Sequence, residues 1–225
     1  SSRKSSKAFF WAAVHAVLGL TLLVCGLGAL CALAATCGRL LGPALLGCFV
    51  AYLSLVGVGR QFLRFQWDAL LLEVGFLALF LGPLSPTARR GPWLPPRLFR
   101  YLLLALLVRF MFAAGWAKLR SGDETWRSLT ALDYHFETQP LPTVIGYYAH
   151  QLPLFLKHLS VVAMFFIELV VPFLIVIPRA WARRTAFAFL VGLQIAIAAT
   201  GNYAFFNLLT AVMCVPLLPD RALLG

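Results

Sequence analysis

The stretch that decides the fold class is 99–118, which reads FRYLLLALLVRFMFAAGWAK. An α-helix needs about 20 mainly apolar residues to cross the hydrocarbon core of a bilayer. Apolar segments of comparable character occupy about 8–35, 43–59, 68–84, 154–177 and 185–218. The last is too long for one span, and we predict that TGN at 200–202 divides it. The sequence therefore predicts an all-α polytopic helical transmembrane bundle of about six to seven spans.

The composition of the chain supports a membrane protein. Its 225 residues are 61% hydrophobic and 12% charged, with a mean hydropathy of +0.87, whereas a soluble protein has about 25% charged residues. The net charge of +11 would favour nucleic-acid binding in a soluble protein. Here most basic residues lie in short loops at the ends of apolar segments, where they orient helices and meet anionic headgroups. We predict membrane lipids as partners, and no nucleic acid.

Two basic loops predict the orientation of the spans. The loop 85–100 and the turn 179–184 hold seven arginines: Arg89, Arg90, Arg97, Arg100, Arg179, Arg183 and Arg184. The positive-inside rule places both on the cytoplasmic side, so the long loop of about 119–153 faces the lumen or exterior. The basic segment 1–7 would then also lie outside, which an upstream span would explain. Because the chain also starts without Met, we expect 1–225 to be a single transmembrane domain within a longer protein.

Five ionisable residues lie inside or at the ends of the predicted spans: Asp68, Glu73, Arg109, Lys118 and Glu168. A charge at the bilayer centre costs about 2.5–3.5 kcal/mol on insertion scales, so such residues need partners. Arg109 and Glu168 sit near the middle of their spans, and we predict that they pair, with Glu73 as the alternative partner of Arg109. Asp68 and Lys118 form a second candidate pair. We favour structural ion pairs over a proton or substrate path, because no chain of such charges is present.

The long loop contains the most polar stretch between two apolar segments, ALDYHFETQPLP at 131–142. In an extended conformation, Asp133, His135 and Glu137 would project from one face. Such groups can ligate a divalent metal or act as acid and base. Their spacing matches no zinc signature, and no HExxH motif accompanies them. We therefore expect a structured loop with no catalytic residue, metal or cofactor, while a metal or catalytic site remains the alternative.

Local signals predict helices on both sides of this stretch. Ser121 or Asp123 has the chemistry of an N-cap and would open a short helix through Leu129. The segment 141–153, LPTVIGYYAHQLP, is amphipathic enough to lie at the membrane interface. Tyr147 and Tyr148 would then sit at headgroup level, where aromatic residues are enriched.

Several long motifs of the chain resemble the lipase maturation factors. Besides the span around Arg109, they are FQWDALLLEVGFLALFLGP (65–83), GDETWRSLTALDYHFETQPLPTVIGYYAHQLP (122–153), FIELVVPF (166–173) and TGNYAFFNLLT (200–210). The resemblance runs in order from about 61 to 218, some two thirds of the chain. It implies a multi-pass protein of the endoplasmic reticulum membrane with the 119–153 loop in the lumen. Family members are longer, with a span before this region and a lumenal domain after it that is thought to contact lipase.

The resemblance also implies a function. The family assists the folding and assembly of secreted homodimeric lipases such as lipoprotein lipase, as a maturation factor or chaperone and not as an enzyme. Under that hypothesis the loop offers these residues to a client: Trp126, Asp133, Tyr134, His135, Phe136, Glu137, Tyr147 and Tyr148. The alternative is a membrane enzyme, or a bacterial protein of the cytoplasmic membrane, related to the transmembrane domain of vitamin K-dependent carboxylases.

Overall fold

The computed structural model describes residues 2–38, 40–81, 97–139 and 141–218. The chain forms two compact units, 1–99 and 100–225. Every regular element in the described ranges is an α-helix or a 3₁₀-helix, and no strand occurs there. The all-α prediction is therefore confirmed.

Five of the predicted segments form helices long and apolar enough to cross a membrane. They are Phe10–Thr36, Leu41–Leu63, Arg97–Arg120, Leu154–Ile175 and Ala180–Thr200. The predicted break at TGN is confirmed, since a helix ends at Thr200 and a shorter apolar helix occupies Phe206–Leu217. The third segment is helical from Gln66 to Leu81, and its last residues lie outside the described part. The chain is a multi-pass membrane protein.

The first unit contains α1 (Ser2–Thr36), α2 (Leu41–Gly59) and α3 (Gln66–Ala78). Gly38 ends α1 in the left-handed conformation (φ 66°), which glycine adopts without steric strain. Short 3₁₀ turns, Arg60–Leu63 and Leu79–Leu81, follow α2 and α3. Apolar side chains lie on almost every face of these helices. A helix of this kind is surrounded by lipid or by other protein segments.

Asp68 is a buried charged residue of this unit, with 2% of its surface exposed. One carboxylate oxygen accepts a hydrogen bond from the backbone N–H of Phe65 at 3.0 Å, which caps α3. The other accepts from the hydroxyl of Tyr52 on α2. A carboxylate in an apolar region needs such donors, and through them Asp68 links α2 to α3.

The second unit comprises residues 100–225. Its helices are α4 (Arg97–Arg120, which begins just before the division), α5 (Glu124–Arg127), α6 (Ala131–Thr138), α7 (Val144–His150), α8 (Leu154–Leu169), α9 (Ala180–Thr200) and α10 (Phe206–Cys214). The 3₁₀-helices Val171–Ile175 and Val215–Leu217 extend α8 and α10. Large apolar side chains that are fully buried come from α4, α8, α9 and α10 and from the 3₁₀-helix after α10: Leu107, Met111, Val161, Leu190, Met213 and Leu217.

Two features occur at the end of this unit where α8 ends and α4 begins. Pro172 removes a backbone donor just after α8, and the chain continues there as a 3₁₀-helix. A guanidinium N–H of Arg100 donates a 2.7 Å hydrogen bond to the carbonyl of Pro216, which joins the start of α4 to the end of α10. Arg89 and Arg90, two bases of the orientation argument, lie outside the described residues. The side of the membrane that each loop faces stays a prediction.

Candidate functional site

The polar segment between α4 and α8 folds as three short helices, α5 to α7. Asp123 is the N-cap of α5, and its carboxylate accepts a 2.9 Å hydrogen bond from the backbone N–H of Thr125, as the sequence predicted. Hydrogen bonds from the hydroxyl and backbone of Thr125 lower the pKa of Asp123. Gly122, just before the cap, has a positive φ of 77°, which permits the sharp turn out of α4.

The expected extended conformation of the acid–His–acid stretch is wrong. Residues 131–138 form α6, and successive helical residues are rotated by about 100°. Alternate residues therefore point to nearly opposite sides of the helix instead of sharing a face. As a result Asp133, His135 and Glu137 contact three different elements, and the carboxylates and the imidazole do not converge on a common point.

Asp133 joins α6 to the first turn of α8. One carboxylate oxygen lies 3.1 Å from Nζ of Lys157, and the other lies 3.3 Å from Nε2 of His158. Burial raises the pKa of Asp133, but the contacts with Lys157 and His158 outweigh burial and hold it below the ordinary value. The Lys157 side chain is only 7% exposed. The pair therefore neutralises a buried cation and fixes α6 against α8.

His135 joins the opposite side of α6 to the turn between α9 and α10. Its Nε2 lies 3.1 Å from the hydroxyl oxygen of Tyr203, and the two rings are parallel with centroids 6.4 Å apart. Burial, with a smaller contribution from the positive charge of Lys118, lowers the pKa of His135. Burial raises the pKa of Tyr203. At neutral pH the contact is thus a hydrogen bond between two neutral groups.

Glu137 makes the weakest of the three contacts. Its carboxylate lies 3.0 Å from Nε2 of His150 at the end of α7, but the Glu137 side chain is 63% exposed. An exposed ion pair contributes at most about 1 kcal/mol. Glu137 therefore remains accessible from outside the protein.

The connection from α6 to α7 is attached to the last turn of α9. The side-chain amide of Gln139 donates to the carbonyl of Thr200 at 3.0 Å, and the hydroxyl of Thr143 donates to the carbonyl of Ala199 at 2.8 Å. These bonds satisfy carbonyls that a helix end leaves without intrahelical partners. A Cβ at Gly146 would lie 2.5 Å from the Thr200 carbonyl oxygen, so glycine permits this close approach.

The intramembrane ion pairing differs from the prediction. Glu168, the predicted partner of Arg109, contacts Lys118, whose Nζ lies 2.7 Å from both carboxylate oxygens. The prediction matched residues by their distance from the span ends, whereas the actual crossing of α4 and α8 brings the end of α4 to Glu168. In the second candidate pair, Asp68 accepts a hydrogen bond from Tyr52 and Lys118 contacts Glu168. The alternative pairing of Arg109 with Glu73 stays a prediction.

Aromatic residues of the segment divide into packed and exposed ones. Trp126 is half-buried, with its ring 6.1 Å from that of Phe165 and the Lys118 ammonium 5.7 Å above it. Phe136 is also half-buried. Tyr134, Tyr147 and Tyr148 are exposed, with 57–67% of their surface accessible. The segment therefore combines buried residues that hold it in place with an exposed surface.

The positions of the His, Cys, Asp and Glu side chains test the alternative of a metal or catalytic site. Within the described ranges, no group of three or more His, Cys, Asp and Glu side chains is placed to hold a metal ion. The ionisable groups of the segment form contacts in pairs or small clusters with neighbouring helices, as described above. The membrane-enzyme alternative, which needed these groups to converge in a cavity, gains no support.

Sequence reasoning missed several residues that anchor the segment: Gln139, Thr143, Gly146, Lys157 and Tyr203. A signal existed for Lys157, because a lysine in the first turn of an apolar helix needs a partner. No local signal identified the others. Their partners are distant in the chain, by 68 residues for His135 and Tyr203.

A family model described as the lipase maturation factor transmembrane domain matches residues 1–225. The chain belongs to the lipase maturation factor family.

Among the relatives of this lipase maturation factor chain, Lipase maturation factor 2 of Xenopus laevis is 48% identical over 203 residues, covering 88% of this chain and 29% of its own length. Human Lipase maturation factor 2 is 48% identical over 78% of this chain and 26% of its own length. Human Lipase maturation factor 1 is 36% identical over 91% of this chain and 35% of its own length. The chain thus spans about a third or less of these relatives. No solved structure matches it significantly.

The motifs by which the chain resembles lipase maturation factors are also those that build the site. The stretch 122–153 forms α5 to α7, 166–173 contributes Glu168, and 200–210 contributes Thr200 and Tyr203. The motifs supply both sides of three contacts that attach this lipase maturation factor segment to the spans: His135 with Tyr203, Gln139 with Thr200 and Gly146 with Thr200.

Proposed function

We propose that the chain is the membrane part of a maturation factor that assists the folding and assembly of secreted homodimeric lipases, such as lipoprotein lipase, in the endoplasmic reticulum membrane. The observation that carries this proposal is the family match across 1–225, together with relatives named Lipase maturation factor 1 and 2. The chain acts as a chaperone, without an enzymatic step of its own. The segment α5 to α7 faces the lumen.

In this proposal the segment is a platform that the spans hold in a fixed position. Asp133 and His135 attach α6 to two different parts of the helical bundle, and Thr143 attaches the start of α7 to α9. The exposed groups are then available to a client, most directly Tyr134 and Glu137. Tyrosine offers a large contact area at low conformational cost. Of the rest of the predicted client-facing set, Tyr147 and Tyr148 are exposed and Trp126 and Phe136 are half-buried. Asp133 and His135 take part in the attachment of α6.

The ionisable residues support a non-enzymatic role because their contacts are structural. The Lys118–Glu168 pair joins two spans, and the Asp133–Lys157 pair joins α6 to α8. A group used in catalysis has to meet a substrate, whereas these groups are directed at each other. The membrane-lipid surroundings follow from the apolar helices, and a lipase partner follows from the family alone.

The test is secretion of an active lipase. Cells lacking their own maturation factor would express lipoprotein lipase with the chain, either alone or in place of the matching region of human Lipase maturation factor 1. We expect secreted lipase activity to rise severalfold above that of cells without the factor. Tyr134→Ala should reduce the rise while the protein still accumulates, and Ser160→Ala, an exposed change on α8, should not. No rise in either form of the experiment would refute the proposal.

A further inference from the structure

The polarity of α7 is inverted relative to a helix at the surface of a soluble protein. Its outer face carries Val144, Ile145 and Tyr148, and Val144 is 76% and Tyr148 67% exposed. Its inner face carries buried Gly146 and half-buried His150. Water-exposed helices instead direct their apolar stripe inwards. The outer face of α7 therefore needs apolar surroundings that the protein itself does not provide.

The apolar surface continues on both sides of α7. Leu141 precedes the helix, and Leu152, Leu154 and Phe155 follow it, all of them exposed. Phe155 belongs to the first turn of α8, which is the start of a membrane span. Exposed apolar side chains thus occur before α7, on α7 and in the first turn of the transmembrane helix that follows it. We call the exposed residues Leu141, Val144, Ile145, Tyr148 and Leu152 the α7 stripe.

The contacts of α7 also fix its depth. Thr143 donates to the carbonyl of Ala199, and Gly146 packs on the carbonyl of Thr200, so α7 lies against the last turn of α9. α9 is a membrane span that ends at Thr200, and α8 begins at Leu154, four residues after α7 ends. The two span ends place α7 at the boundary between hydrocarbon and headgroups.

We infer that the α7 stripe is a lipid-binding surface that lies in the bilayer interface, with the tyrosine hydroxyl of Tyr148 among the headgroups. Three observations agree on lipid: the stripe carries no charge, it continues into a lipid-facing span, and it lies at the depth of the span ends. Amphipathic helices with these properties bury their apolar face in the interface. This anchor would hold α6 close to the membrane surface. The exposed face of α6 would then point away from the bilayer.

A lipid anchor needs no lipase, but it removes Tyr148 from the client-facing set predicted from the sequence. It divides the aromatic residues of the segment between two surroundings. Tyr148 contacts lipid, whereas Tyr134 on α6 contacts water or a client. A protein client on the α7 stripe is the competing occupant, and the experiment below separates the two.

Fluorescence quenching in vesicles tests the inference. A small fluorescent noncanonical amino acid is placed at Ile145 or Tyr148, and at Tyr134 as the matched exposed control. Each full-length variant is checked for its melting temperature and reconstituted in phosphatidylcholine vesicles. The quenchers are lipids spin-labelled high on the acyl chain and iodide present on both sides of the membrane. Val144 is a second stripe position if either variant loses stability.

We expect spin-labelled lipid to quench the stripe positions severalfold more strongly than position 134, and iodide to show the reverse order. Equal iodide quenching at all positions would overturn the inference. So would strong iodide quenching at 145 and 148 that disappears only when lipoprotein lipase is added, because the stripe would then be a client surface.

Discussion

The ammonium nitrogen of Lys118 lies 2.7 Å from each carboxylate oxygen of Glu168, which joins the end of α4 to α8. A Cβ at Gly115, one turn earlier on α4, would lie 3.0 Å or less from the side chains of Glu168 and Leu169. Glycine therefore allows the two helices to approach closely at the level of the ion pair. The buried acid of one span is neutralised by a lysine at the end of another.

We predict that Lys118→Ala destabilises the protein in detergent. The substitution leaves the Glu168 carboxylate, only 6% exposed, without its cation. Loss of one partner of a buried pair typically costs about 3–5 kcal/mol, and we expect about 2–3 kcal/mol because Lys118 is itself 24% exposed. The measurement is the melting temperature of the purified protein.

Arg120→Ala is the control for Lys118→Ala, since Arg120 is an exposed base on the same helix. It should change the melting temperature little. The exchange of both charges, Lys118→Glu with Glu168→Lys, should recover part of the loss. Equal melting temperatures for Lys118→Ala and Arg120→Ala would show that the ion pair does not stabilise the fold.

The two acids of α6 should respond differently to neutralisation. Asp133→Asn leaves the buried ammonium of Lys157 without a carboxylate, so we expect a loss of about 2 kcal/mol or more. Glu137→Gln removes only an exposed pair with His150, and we expect a loss below about 1 kcal/mol. Thermal unfolding of both variants measures this. Similar losses for the two would contradict the helical arrangement of the segment.

Close packing at Gly146 predicts a specific effect of an added methyl group. In Gly146→Ala the new Cβ meets the Thr200 carbonyl 2.5 Å away, so α7 has to move away from α9. We expect a loss of about 1–3 kcal/mol and faster proteolysis between α6 and α8. Gly192→Ala on α9 is the matched control, because no atom lies within 4 Å of its Cβ position. It should be neutral or stabilising by up to about 1 kcal/mol.

Acid should loosen the attachment of α6. The pKa of His135 is lowered from its ordinary 6.5, so the unfolded chain takes up a proton at higher pH than the folded one. The stabilising contribution of neutral His135 is therefore complete above pH 6.5 and declines as the pH falls below 6.5. The pKa of Asp133 is lowered from its ordinary 3.8. Ionised Asp133 therefore stabilises the fold above pH 3.8, and this contribution is lost as the pH falls from 3.8 through the pKa of the folded state.

Hydrogen exchange of the α6 amides measures this pH dependence. After correction for the intrinsic exchange rate, we expect protection of 131–138 to decrease from pH 7.5 to 5.5. His135→Gln keeps a hydrogen-bonding side chain but cannot titrate, so its protection should depend less on pH over this range. If both proteins show the same dependence, protonation of His135 does not control the contact with Tyr203.

The sequence by itself determined the spans, their division near Thr200 and a helix cap at Ser121 or Asp123, of which the structure uses Asp123. These features depend on local properties. An apolar run of sufficient length forms a helix in a membrane because its backbone groups have no other partners there. A side chain can cap a helix from three residues or fewer away. The family resemblance was equally a property of the sequence.

Tertiary structure decided the arrangement of the polar segment. A helix of eight residues such as α6 is marginal on its own, and contacts with Lys157, His158 and Tyr203 hold it in place. The choice of Lys118 as the partner of Glu168 depends on where α4 and α8 cross. Small residues at the crossing, such as Gly115, set that position. Neither the crossing point nor the rotation of α6 follows from local sequence, because both result from packing between residues distant in the chain.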